Sequence, residues 1–109
     1  MKDGEYTICL KAGPYAGAGE LSLNNDYGKG HDGVYAVEVQ LQGQGPRLHG
    51  VANILMSPNV VHNSQMPSHY SLPMTGIDKD DGFSLMGIGP LGLIIELDAH
   101  WNGKSPVPS

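Results

Sequence analysis

The chain has little of several things that would direct a functional reading. It has one cysteine, Cys9, so no internal disulfide can form. Only 6 of its 109 residues are Lys or Arg, and they are scattered, which leaves no basic patch for a phosphate backbone. Direct nucleic-acid binding is therefore not expected. No apolar run approaches the length of a membrane span, and Asp3 and Glu5 break up the opening MKDGEYTICL, so neither a membrane segment nor a secretory signal is read there. With the lone thiol, these absences lead us to expect a cytoplasmic setting. Apolar residues nowhere recur with a convincing helical period.

Glycine and apolar alternation are abundant instead. There are 16 Gly and 8 Pro, without the three-residue period of collagen. Between the glycines the apolar residues recur every second position, which is the period of a half-buried strand. Tyr6, Ile8 and Leu10 fall on one face, with Glu5, Thr7, Cys9 and Lys11 on the other. Leu21 and Leu23 alternate likewise. Tyr35, Val37, Val39 and Leu41 give the cleanest pattern. Leu48, Ala52, Ile54 and Met56 follow, then Tyr70, Leu72 and Met74, where Pro73 marks an edge or a bulge. Leu91, Leu93, Ile95, Leu97, Ala99 and Trp101 share one register at the end.

AGPYAGAG and NNDYGKGHDG read as turn regions, and residues 57–68 as a loop or lid. Seven or eight short strands in sequence predict an all-β antiparallel, up-and-down meander. At this length its edges are best removed by closure into a small barrel. Gly19, Gly50, Gly76 and Gly87 lie within strands and fit the bends that closure needs. One domain is expected over residues 1–102, with a disordered tail over 103–109.

Several motifs invite chemistry. GIGPLG, residues 87–92, has the letters of a dinucleotide loop. That loop works because a helix N-terminus follows and binds the pyrophosphate. Here LGLIIELDAHW follows with a strand period, so Gly89, Pro90, Leu91 and Gly92 are expected to reverse the chain between the last two strands. Asp78 to Gly82 resembles the start of a calcium loop, but the residue twelve places in is Gly89 rather than Glu, so a hairpin turn is read. Glu96, Asp98 and His100 line one face of the last strand; they bind a divalent metal only if another strand supplies further ligands, and otherwise form a solvated face. The histidines (His31, His49, His62, His69 and His100) have no G-x-S-x-G companion, and Cys9 has no evident base. No catalytic residue, cofactor site or metal site is assigned.

The apolar stripe either packs as a filled core or lines a cavity for an apolar small molecule. The residues that would do so are Tyr35, Val37, Val39, Met56, Met74, Leu85, Leu93 and Ile95, with Met66 and Met86 adding an adaptable lining. Val51, Leu55 and Ile94 fall on the outward phase of their strands, where they would form a dimer surface. The net charge of −5 suits a basic protein partner.

MKDGEYTICL, then GAGELSL, then GKGHDGVYAVEVQL, resemble the GrlR-like family of small regulators associated with bacterial type III secretion. The turn before that family's third strand is matched by Gly30-His31-Asp32, and SLPMTG and FSLMG resemble its later elements. The resemblance runs from Met1 to about Trp101. It implies a lipocalin-like barrel that forms homodimers, can enclose an apolar cavity, and regulates by binding a protein rather than DNA. The family's activity uses an acidic E-D-E-D loop. The corresponding stretch, Gln42-Gly43-Gln44-Gly45, carries no acid, so the resemblance does not carry over the same partner. Two expectations follow: a non-enzymatic binding protein with a regulatory role, or a carrier or sensor of a small apolar ligand.

Overall fold

The computed structural model describes residues 2–56 and 69–102. The loop or lid expected at 57–68, with His62 and Met66, and the tail at 103–109 lie outside them. Eight strands follow in order: β1 Gly4–Ala12, β2 Tyr15–Asn24, β3 Tyr27–His31, β4 Tyr35–Gln44, β5 Arg47–Met56, β6 His69–Lys79, β7 Gly82–Ile88 and β8 Ile94–Trp101. Each pairs antiparallel with the next, and β8 returns to β1 through Leu10↔Leu97 and its neighbours, closing the barrel. The up-and-down all-β barrel expected from the alternation is the observed fold. Closure satisfies the backbone groups that an open meander would leave at its two edges.

Two expected turn regions are partly strand. The β1–β2 turn occupies only Gly13 and Pro14, and Tyr15–Gly19 already belong to β2. Within NNDYGKGHDG the turns flank a strand of five residues, β3. Its inward positions are Gly28 and Gly30, so it lacks the apolar alternation that marks the others. Space explains them: a Cβ on Gly28 would sit 2.8 Å from Val39 Cγ2, and one on Gly30 2.1 Å from the Glu20 carbonyl oxygen. The β2–β3 turn takes Asn25 and Asp26 at positive φ, a conformation that these two side chains tolerate.

The four glycines expected at bends mark close backbone approaches. A Cβ would meet a carbonyl oxygen at 1.8 Å for Gly19, 1.9 Å for Gly50, 1.7 Å for Gly76 and 2.4 Å for Gly87. Pro73 stands where an edge was expected, because the β6–β7 ladder starts only at Thr75.

GIGPLG runs from the last two residues of β7 into the β7–β8 connection, which contains a single 3-10 turn, Pro90–Gly92, with Leu91 and Gly92 at positive φ. Leu91 is therefore not in the inward register with Leu93 and Ile95. It is 75% exposed at the tip. Asp80 and Asp81 form the β6–β7 turn.

The interior holds one apolar cluster, in which 19 side chains are buried; among the described residues none of the buried ones is polar or charged. One end is closed by Tyr6 and Phe83, ring edge to ring face at 5.1 Å, with the Lys2 ammonium 4.0 Å over the Trp101 ring. The other end carries Tyr15 and Tyr35, edge to face at 5.0 Å, beside half-buried Tyr70 and Leu93.

Candidate functional site

The expected lining residues separate by depth. Val37, Val39, Met74, Leu85 and Ile95 are buried in the core. Tyr35 and Leu93 are half-buried and pack on it, and Met56 is half-buried at the end of β5. Met86 points outward and is exposed, because β7 turns Phe83, Leu85 and Gly87 inward; it is not an interior residue. The packing leaves little room at inward Gly87, where a Cβ would lie 2.6 Å from Met74 Sδ, whereas one on Gly43 would make an ordinary contact, 3.4 Å from Leu48 Cδ2. At Gly87 the stripe behaves as a filled core.

The tyrosine end is held by one carboxylate. Asp32 Oδ1 accepts the backbone N–H groups of Val34 and Tyr35 at 3.0 and 2.8 Å, and Oδ2 accepts the Tyr15 hydroxyl at 2.6 Å. This turns the chain from β3 into β4 and ties it to β2. Burial, then the hydrogen bond to Asp32, pushes the Tyr15 phenol well above its ordinary value. Burial also raises Tyr35 and Tyr70. The Tyr15 phenol, neutral and donating to Asp32, ties β2 to the β3–β4 turn as a structural donor.

The residues considered for metal binding diverge. Glu96, Asp98 and His100 all face outward on β8. Asp98 accepts the Ser84 hydroxyl at 2.7 Å, and His100 Nδ1 lies 3.6 Å from Asp81 Oδ2 on the exposed surface. Among the described residues no group of three or more His, Cys, Asp or Glu side chains is placed to hold a metal ion. Cys9 is half-buried on the outer face, with Ala18 and Asp98 as its register neighbours. His31, His49 and His69 are exposed.

A prominent recess lies on the outside of the barrel, across β5 to β8. It encloses about 720 Å³. Three strand registers define it. Arg47, Ile77, Ser84 and Asp98 form one row across the four strands, and His49, Thr75, Met86 and Glu96 the next. Beyond these, Val51 pairs with Pro73 and Ile88 with Ile94. The wall is thus apolar along Val51, Ile77, Met86, Ile88 and Ile94, which are between 47 and 69% exposed. Its two sides carry opposite charge: Arg47 on β5, Glu96 and Asp98 on β8. Among the described residues no hydrogen bond or ion pair engages Arg47 or Glu96.

Of the three residues expected on a dimer surface, all are exposed, but they do not lie together. Val51 and Ile94 bound the apolar wall, with β6 and β7 between them. Leu55 sits four residues along β5, beside a second recess of about 300 Å³ with Ala36 and Met56. Arg47, Ile77, Met86 and Ile88 had no local signal: strands far apart in sequence bring them together through register.

Among the described residues no helix is long and apolar enough to cross a membrane. The chain matches no family model and no curated protein.

Proposed function

We propose that this protein is a non-enzymatic binding protein whose working surface is the outer wall formed by β5 to β8, and that it acts as a regulator through protein contact. One observation carries the reading. The barrel buries its apolar residues inside, yet five large apolar side chains remain exposed along one side of it. Contiguous exposed apolar surface rimmed by charge is the composition of an interaction surface. The resemblance to the GrlR-like family points the same way, toward regulation without DNA contact, in keeping with the net charge of −5. The alternative, a carrier of an apolar molecule inside the barrel, has less support, because 19 apolar side chains are buried together in the interior.

The test compares affinity capture by the wild-type protein and by Ile88→Asp. A discrete partner retained by the first and lost by the second is the expected result. The same proteins captured by both would overturn the reading. Native mass spectrometry of freshly purified protein addresses the alternative: a stoichiometric apolar adduct would favour the carrier.

A further inference from the structure

Trp101 Nε1 is buried and donates to no acceptor among the described residues. A buried indole N–H ordinarily finds a partner, so this one marks a place for an acceptor. The ring that carries it helps to line a recess of about 400 Å³ at the end of the barrel closed by Tyr6 and Phe83. Small-molecule sites span roughly 300–1,000 Å³. We infer that this recess binds a small zwitterion of the α-amino-acid class. Its carboxylate takes the Trp101 N–H and the ammonium groups of Lys2 and Lys79, and its own ammonium group lies against Asp78 and Asp80. The site shares no lining residue with the recess of the outer wall, and it does not rest on the reading of that wall.

Register brings the parts together. Trp101 pairs with Tyr6 across β1 and β8, and Lys79 closes the β6–β7 ladder opposite Gly82. Lys2 comes just before β1 and lays its ammonium group 4.0 Å over the Trp101 ring. The polar groups already present do not supply the acceptor. The Tyr6 hydroxyl is engaged in both senses, donating to the Lys2 carbonyl oxygen and accepting the Lys2 backbone N–H. The Asp78 and Asp80 carboxylates line the same recess, but neither accepts the indole N–H.

The charges select the ligand. Two ammonium groups and two carboxylates line the recess, so their formal charges balance. A simple anion would suit the indole and the lysines but would meet both carboxylates with like charge. A simple cation would suit the carboxylates but would bring no acceptor to the indole N–H, which is a donor only. A molecule that carries both groups satisfies both sets, through charge-assisted hydrogen bonds. Entry turns aside the Lys2 side chain, a flexible four-carbon stem resting on the ring, and its ammonium group then pairs with the ligand carboxylate.

Trp101 is the only tryptophan, so indole fluorescence reports on this site alone. The full chain is titrated with glycine, L-alanine and L-leucine up to millimolar concentration. At least one should change the emission saturably and raise Tm. Propionate and ethylamine each carry one of the two charges, and neither should do so at the same concentrations. Trp101→Phe keeps an aromatic ring and removes the N–H; Lys79→Met removes one cation from an exposed position. By isothermal titration calorimetry each should weaken binding at least tenfold. Should Trp101→Phe fail to fold, Lys79→Met decides the point. No response to any of the three amino acids, an equal response to propionate or ethylamine alone, or undiminished binding by either folded variant would each overturn the inference.

Discussion

Replacing Gly76 by alanine adds one methyl group where the barrel has no space for it. The Cβ would stand 1.7 Å from the Ser84 carbonyl oxygen, 2.8 Å from its carbon and 2.9 Å from Leu85 Cα. All three are backbone atoms, so no side chain can swing aside. Relief requires β6 and β7 to separate locally, and the ladder around Gly76↔Leu85 must lengthen or break. Overpacking of this kind costs about 1–3 kcal/mol, and each backbone hydrogen bond lost adds about 1 kcal/mol. We expect about 3 kcal/mol in total from those two effects. For a domain of this size that lowers Tm by on the order of 10–20 °C. Gly43→Ala is the matched control: it also adds an inward methyl within a strand, but the nearest atom is Leu48 Cδ2 at 3.4 Å, an ordinary contact. It should melt within a few degrees of the wild type. Thermal unfolding followed by Trp101 fluorescence and far-ultraviolet circular dichroism measures both. If Gly76→Ala melted with Gly43→Ala, the close approach of β6 to β7 would be wrong, and with it the rows that define the outer wall.

Other consequences can be measured on the same material. Asp32→Ala removes acceptors from Val34, Tyr35 and Tyr15 and should cost about 2–3 kcal/mol in urea unfolding, whereas an unchanged midpoint would show that the turn does not need the carboxylate. Phe83→Leu loses the edge-to-face contact with Tyr6 and leaves a small void; a loss of about 1–2 kcal/mol is expected, and none would mean that the barrel end is already loose. The phenols of Tyr6, Tyr15, Tyr35 and Tyr70 are all raised above 10.0, chiefly by burial. Above about pH 10 the unfolded chain therefore loses phenolic protons that the folded barrel retains, so stability should be level with respect to these groups below about pH 10 and fall above it. Stability that rises between about pH 10 and 12 would contradict this linkage. An ultraviolet titration should show Tyr15 ionising above the ordinary phenol range.

Legibility in the sequence followed the source of each signal. β4 and β8 could be read directly, because Val37, Val39, Leu41 and Ile95, Leu97, Ala99 alternate without interruption and every one of them is buried. β3 could not, because Gly28 and Gly30 occupy its inward positions and glycine contributes no apolar period. The same reason hid the first half of β2, where Gly17 and Gly19 point inward; a Cβ on Gly17 would fall 2.3 Å from the Tyr15 hydroxyl. Leu91 misled in the opposite sense: its parity matches Leu93, but parity has meaning only within a strand, and the 3-10 turn breaks it. The Asp32 anchor carried only a turn signature, since its third partner, Tyr15, is 17 residues away. Val51 and Ile94 were visible as outward apolar residues within their own strands. The charged sides of the wall were not, because the opposition of Arg47 to Asp98 arises from three successive pairings and from no local pattern.

The closure between β1 and β8 also bears on how the molecule is made. Seven of the pairings join consecutive strands, and each can form as a hairpin or from strands adjacent along the chain. The eighth joins the ends: the Asn102 amide donates to the Glu5 carbonyl oxygen at 2.9 Å, and Tyr6 pairs with Trp101. Contacts so distant along the chain incur a large loop-closure entropy before they return any stability, so the sealing step is the slow one. Until it happens, a meander already folded along most of its length has two bare strands, β1 and β8. Those same strands would pair readily with another chain, so the yield of folded protein should fall as the refolding concentration rises, even though the finished barrel has no such edge to offer.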